Sequence, residues 1–321
     1  MKHFIYLKYR YLLFFIKTLI ILLLIFLTYN LIPIKMGKST FYFASSDIDT
    51  VINTLHENGY GISLIDKLFL QFTTTPKKGW YTLQESPFGR FKLFKYIQQN
   101  SARTMQVELY PGETSLELTK RLANDLKLDY KMLLSYYKSQ SQYTEGDILS
   151  GRYTIARKAD EKSVMTALFQ MSEEKLHKFK KKYCNGHLNP LELKVLLIIA
   201  SIIQKETNNV QEMYLVSSVI QNRLDKGMKL QIDATLNYGK YSRKVVTSKR
   251  IRKDKSYYNT YKYGGIPPAP LSTVSIDALK AAHNPKKTNY LFFMLDKKGK
   301  HNFASTYKEH LQNIKAFREK S

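Results

Sequence analysis

Cysteine is all but missing. Cys184 is the only one in 321 residues, so no disulfide can form within the chain in any compartment. A four-thiolate metal centre is excluded for the same reason. Acidic residues are scarce: 26 Asp and Glu stand against 51 Lys and Arg, a net charge of +25. That excess points to polyanionic partners, whether nucleic acid, anionic lipid or an acidic wall polymer. No zinc-finger, P-loop or other compact nucleic-acid signature accompanies it, and the lysines are spread along the whole chain. Nucleic acid is therefore not expected as a partner. The glycine-rich phosphate loop is absent, as is the G-x-S-x-G of serine hydrolases. No H-x-x-x-H pair occurs; His283, His301 and His310 fall late, and His301, on an expected strand, reads as a packed or hydrogen-bonded histidine. Neither a metal site nor a cofactor is expected.

Long apolar runs are confined to one place at the start. Lys2, Lys8, Arg10 and Lys17 precede the run Thr18 to Ile34, which extends back to Tyr11 with only Lys17 interrupting it. At about 24 residues it is long enough to span a bilayer, and Lys17 can snorkel to the interface. Positive charge on the N-terminal side places that end in the cytoplasm. The exit T-Y-N-L-I-P-I-K offers no small-residue cleavage site, so a retained anchor over residues 1–34 is expected.

Hydrophobic content of 44% supports a real core in the remainder. Thr40 to Ala44 reads as a strand, with helices over Ile48 to Leu55 and Ser63 to Phe72, a strand at Gly79 to Leu83 and a helix over Phe88 to Gln99. This is a small α+β module, residues 35–103. The third region, residues 104–321, is mixed α+β. Met105 to Tyr110 reads as a strand and Ser115 to Leu126 as an amphipathic helix. Gln140 to Arg157 reads as polar and irregular. Helices follow at Glu161 to Lys182, Val210 to Lys226 and Ser275 to His283. Strands at Tyr290 to Leu295 and Gly299 to Ala304 precede a basic helix from Tyr307 to Lys320. The basic stretch Lys244 to Lys255 has no assigned role.

The organising stretch is Asn189 to Asn209. Asn189, Pro190 and Glu192 make a strong helix start, and Leu191 to Ile203 is apolar on most sides, so this central helix is expected to be buried. Val195, Ile199, Ile202, Ile203 and Glu206 share one side, with Lys194, Ser201 and Lys205 on a flank. Two readings of Glu206 stand on the helix alone. It is either a frayed end whose carboxylate reaches water, or a desolvated acid at the negative end of the helix dipole, tuned toward the protonated form.

Downstream lies a polar and aromatic set: Gln231, Asp233, Thr235, Tyr238, Asn259, Thr260 and Tyr261. Singly these suit turns and caps. Together with Glu206 they suit a sugar site, in which rings stack on pyranose faces and amides grip hydroxyl and acetamido groups.

The sequence resembles the endolytic murein transglycosylases of the YceG-like type, single-pass inner-membrane proteins that cut nascent peptidoglycan. The resemblance rests on I-A-S-I-I-Q-K-E-T around Glu206, V-I-Q-N-R-L (219–224), G-M-K-L-Q-I-D-A-T-L-N-Y-G (227–239), Y-N-T-Y (258–261), G-G-I-P-P-A-P-L (264–271) and A-L-K-A-A-H-N-P (278–285), ending in N-Y-L-F-F and H-N-F. It implies that residues 35–103 are a LysM-like module and that 104–321 are the catalytic domain, with Glu206 as the catalytic glutamate. It further implies glycan strands as substrate, peptidoglycan synthases as candidate partners, and a cytoplasmic N-terminus with the catalytic domain periplasmic. A single carboxylate fits that chemistry, since ordinary glycosidases need two. Two rivals stay open: a wall-binding scaffold without turnover, and a hydrolase using Asp233 as second carboxylate.

The charge pattern generates a prediction of topology. A reporter fused at Ser321 will show exported activity and none in the cytoplasm; cytoplasmic activity would overturn the expected orientation.

Overall fold

The computed structural model describes residues 2–83, 89–99 and 101–319. The chain forms two compact units, Met1–Met105 with Ile155–Ser163, and Gln106–Thr154 with Val164–Ser321. The chain leaves the first unit after residue 105, returns for nine residues at 155–163, and leaves again.

The first unit opens with α1 (Lys2–Leu31). Its stretch Lys8–Leu31, 24 residues, is long and apolar enough to cross a membrane, and none of it is buried in the protein. There follow β1 (Thr40–Phe43), α2 (Ile48–Glu57), α3 (Leu64–Gln71), β2 (Gly79–Thr82) and α4 (Arg90–Gln99). The expected start of α4 at Phe88 lies outside the described residues. β1 and β2 pair antiparallel, with Phe41 opposite Tyr81. Phe41, Phe43, Val51, Leu55, Leu93 and Ile97 fill the core between strands and helices. Asp47 caps α2 by accepting from the Thr50 N–H. Gly37 is required by crowding: a Cβ there would stand 2.0 Å from the Asn58 carbonyl oxygen. At its C-terminal end α1 meets this core, where Asn30 Oδ1 accepts the Phe91 N–H at 2.8 Å.

β3 (Thr104–Leu109) and β4 (Gly151–Ala156) form a two-stranded sheet, with α5 (Ser115–Leu126) and α6 (Tyr130–Gln140) between them in sequence. Two expectations are corrected here. The segment read as irregular contains β4, whose Tyr153 and Ile155 alternate into the core, a short signal among polar neighbours. α6 was not anticipated, because only Leu133 and Tyr137 anchor it.

Next come α7 (Glu161–Tyr183), α8 (Pro190–Glu206), α9 (Val210–Asp225), the short α10 (Ser248–Lys253), α11 (Ile276–His283), β5 (Phe292–Leu295), β6 (His301–Ala304) and α12 (Tyr307–Glu319). β5 and β6 are antiparallel, with Leu295 opposite His301. Asn189 accepts from the Glu192 N–H and Glu192 from the Asn189 N–H, a reciprocal cap that starts α8 where Pro190 fixes its first turn. α11 packs on both α8 and α9, joining Leu197 and Ile203 to Met213, Val216 and Leu279 in one core. Gly227 ends α9 in the left-handed region, at φ +64.

Polar residues dock the loop that precedes α11. Ser201, on the flank of α8 that also carries Lys194 and Lys205, is fully buried. Its hydroxyl donates to the Ile198 carbonyl at 2.7 Å and accepts the Leu271 N–H at 2.9 Å. Gln204 Oε1 accepts the Ser275 N–H at 3.1 Å. The basic stretch 244–255 serves as a clasp: the Arg250 guanidinium lies 4.5 Å over the Tyr241 ring and donates to the Leu236 carbonyl, and Thr247 caps α10.

Ser201→Ala should leave the buried Leu271 N–H without its acceptor. The expected loss is about 1–3 kcal/mol of stability, the cost of an orphaned buried donor, read from thermal melting of the detergent-solubilised chain. A change indistinguishable from that of exposed Lys178→Ala would contradict this role.

Candidate active site

α8 runs without a break to Glu206, and Thr207 then turns the backbone to extended geometry, φ −150 and ψ 149. Glu206 is half-buried. Its Oε1 accepts the Ala234 N–H at 3.2 Å, and its side chain lines a cleft of about 520 Å³. The carboxyl is thus turned into the protein and is not a frayed end in water. Burial pushes it up from 4.5 to about 7; the Ala234 N–H and the charge of His301 oppose that rise, and Asp233 adds to it. At neutral pH the group is poised between acid and carboxylate, which is what one residue needs to give a proton and take one back.

The floor of the cleft is the segment Leu230 to Asp233, and its facing wall comes from β5, β6 and α12, with Phe292, His301, Tyr307 and His310. Gln231 stands at φ +51, its N–H donating to the Thr260 carbonyl at 3.2 Å. Asp233 Oδ1 accepts the Tyr261 hydroxyl at 2.7 Å. Burial and the neighbouring carboxylate raise the Tyr261 hydroxyl well above its usual range, so it stays a donor. Gln231, Asp233 and Tyr261 are therefore brought together with Glu206.

The other expected substrate contacts lie away from the cleft lining. Thr235, Asn259 and Thr260 are buried and none lines the cleft. Thr235 Oγ1 donates to the Ile232 carbonyl at 2.7 Å and meets Thr260 Oγ1 at 3.0 Å. Asn259 Nδ2 donates to the Ile251 and Asp254 carbonyls at 2.8 and 2.9 Å. Their polar atoms are consumed in shaping the two loops that carry Asp233 and Tyr261. Tyr238 lies in a separate aromatic stack, 4.2 Å and 11° from the Tyr258 ring.

Arg223 and Glu212 escaped the sequence reading. Arg223 is buried and lines the cleft. It donates to the carbonyls of Leu291 at 2.6 Å, Lys229 at 3.0 Å and Leu230 at 2.8 Å, tying the floor to β5. The available signal was its place three residues after Ile220, on the apolar stripe of α9. Glu212 accepts from His301 Nδ1 at 2.7 Å; a carboxylate in the first turn of a helix reads as an ordinary charge complement, so nothing marked it. Among the described residues no group of three or more His, Cys, Asp and Glu side chains is placed to hold a metal ion.

The raised carboxyl has a consequence for stability. An unfolded glutamate ionises near 4.5 and folded Glu206 near 7, so the native state holds the extra proton. The resulting stabilisation is full below the lower value and is lost as pH rises through the upper one. Glu206→Gln removes this dependence. Its melting temperature should exceed that of the wild type at pH 8 and approach or fall below it at pH 5. An equal offset at both pH values would contradict the raised carboxyl.

Over 124 residues the chain is 38% identical to an endolytic murein transglycosylase of Bacillus subtilis (strain 168), a match covering 38% of this chain and 34% of that relative. Over 176 residues it is 27% identical to an endolytic murein transglycosylase of Streptococcus pneumoniae serotype 2 (strain D39 / NCTC 7466), covering 53% of this chain and 31% of that one. The chain thus spans about a third of the length of the curated relatives it matches. A 2.6 Å crystal structure of a yceG-like protein, lmo1499, from Listeria monocytogenes superposes with a TM-score of 0.55 at 25% identity, covering 87% of this chain and 99% of that one. The model of the YceG-like family matches residues 44–316, and the chain belongs to that family.

Proposed function

We propose that this chain is a membrane-anchored endolytic lytic transglycosylase of peptidoglycan. The observation that carries the reading is a single carboxyl, Glu206, held near neutrality at the wall of a cleft. In the proposed reaction Glu206 gives its proton to the glycosidic oxygen between N-acetylmuramic acid and N-acetylglucosamine. The resulting carboxylate takes a proton from the muramoyl 6-hydroxyl, whose oxygen attacks the anomeric carbon and closes a 1,6-anhydro ring. One proton leaves Glu206 and one returns, so the residue is restored without water. The nucleophile is part of the substrate, which makes its effective molarity high.

Asp233 is assigned a positioning role, because its carboxylate is engaged by the Tyr261 hydroxyl. Gln231 and Tyr261 are the polar groups assigned to sugar hydroxyl and acetamido groups. Aromatic side chains on the facing wall, Phe293 and Tyr307 among them, supply apolar surface for pyranose rings. The net charge of +25 suits an acidic wall polymer. The Lys8–Leu31 helix supports an anchor with the second unit on the outer face of the cytoplasmic membrane. The strand–helix–helix–strand order of the first unit supports reading residues 35–103 as a LysM-like module that positions the enzyme. Cleavage beside the membrane would end the elongation of nascent strands, with peptidoglycan synthases as partners.

Incubating the full chain in detergent with isolated sacculi, followed by mass analysis, tests this reading. Anhydro ends, one water lighter than hydrolysed ends, are expected. Glu206→Gln should lower turnover by about 10²–10⁴-fold, and Asp233→Asn should cost less while leaving the anhydro product. Reducing muramic acid ends from the start would mean that water is the nucleophile. Retention of more than about a tenth of turnover by folded Glu206→Gln, below the general acid–base range, would remove Glu206 from the mechanism.

A further inference from the structure

His301 is only 5% exposed in its side chain, yet it lines the same cleft as Glu206. Its ring is gripped on one edge. Nδ1 stands 2.7 Å from Glu212 Oε2, and the His301 backbone N–H donates to Glu212 Oε1 at 3.3 Å. Glu212 is itself fixed: Thr207, the residue after Glu206, donates its hydroxyl to Oε2 at 3.1 Å, and Asn209 Oδ1 caps the Glu212 N–H at 3.2 Å. Phe293 packs edge-on against the imidazole at 5.4 Å and 81°. A closed circuit results, from Glu206 along the backbone to Thr207, through Glu212 to His301, and back to the cleft.

Chemistry fixes what this arrangement offers. A carboxylate on Nδ1 selects the tautomer with hydrogen on that nitrogen and leaves Nε2 facing away from the pair. Burial would raise Glu212, but the bonds from His301 and Thr207 outweigh it and hold the carboxyl below its usual range, so Glu212 stays ionised. Nε2 has no other hydrogen-bond partner among the described residues. The remaining titratable groups around the cleft are Asp233 and Tyr261, bonded to each other, Arg223, which donates to backbone carbonyls, and Tyr307 and His310 on α12.

We propose that the Glu212–His301 pair is a positioning device for Glu206, which places imidazole charge beside the acid and stabilises its carboxylate once the proton has gone to the leaving oxygen. The pair deepens the proposed glycan-cleaving reading and rests on it. The need arises from having one carboxyl do two jobs. Burial alone makes Glu206 a poor carboxylate, reluctant to ionise during bond cleavage; a cation held by a second carboxylate answers this without introducing a competing nucleophile.

The test separates this inference from the reaction itself. The Glu206 carboxyl of the full chain is titrated by difference infrared or carbon-13 spectroscopy in wild type, His301→Gln, Glu212→Gln and the double variant. In parallel, kcat/KM on glycan strands is followed against pH. Both single variants should raise the Glu206 midpoint and move the alkaline limb of kcat/KM upward. Turnover should fall by roughly 10- to 100-fold, the worth of one charge-assisted hydrogen bond. The double variant should lose little more than either single one, because the two residues act as a unit. An unmoved midpoint, or losses that multiply in the double variant, would overturn the proposal. Should His301→Gln fail to melt cooperatively, Glu212→Gln, which keeps the ring, decides alone. A wild type that shows the expected midpoint shifts in its variants but makes no anhydro product would overturn the glycan-cleaving reading and leave the pairing standing.

Discussion

A carboxyl at the end of an apolar helix has few stable arrangements, and the second unit is built around meeting them. α8 delivers Glu206 out of a core of leucine and isoleucine side chains. In that setting the charged form is disfavoured by desolvation and by the negative end of the helix dipole. One backbone N–H, from Ala234, is aimed at the carboxyl, and its position depends on the 3₁₀ turn Asp233–Leu236. That turn is held in place by Thr235 and Thr260. The N–H that meets the acid is therefore held in place by residues that do not line the cleft.

The same logic governs the floor of the cleft. Arg223 is a buried cation with no carboxylate bonded to it among the described residues; it donates to three backbone carbonyls and to Gln231 Oε1, and lies over the face of Phe292 at 5.1 Å. Backbone carbonyls solvate the guanidinium in place of water, and in return the arginine joins α9, the 229–231 segment and β5. Anions entering the cleft meet a positive group that is already spoken for. Of the two carboxyls that line the cleft, Asp233 is bound to the Tyr261 hydroxyl and Glu206 to the Ala234 N–H.

Much of this was legible before any coordinates. The cap at Asn189, the apolar course of α8 and the glutamate at its end could be read because helix starts and the 3.6 period are local signals. Gln231, Asp233 and Tyr261 were singled out by residue type, and they do line the cleft. Thr235, Asn259 and Thr260 could not be told from them, since a hydroxyl or amide that grips a sugar and one that closes a loop are the same in sequence. The partner of Ser201 was not legible, because an angular wheel knows nothing of the loop that lies over it. Glu212 and His301 are 89 residues apart, so only the tertiary fold could pair them. β4 and α6 were lost for want of enough apolar anchors.

The return of residues 155–163 to the first unit bears on how such a chain is made and how it can be recombined. The ribosome must release sequence well beyond α4 before the first unit has all its parts. That unit receives its last nine residues only after β3, α5, α6 and the first part of β4 have been made. It is not a cassette: a single splice near residue 103 would strip nine consecutive positions from its own fold while leaving them stranded in the other. Exchange of the whole first unit between relatives therefore requires two compensating junctions, not one.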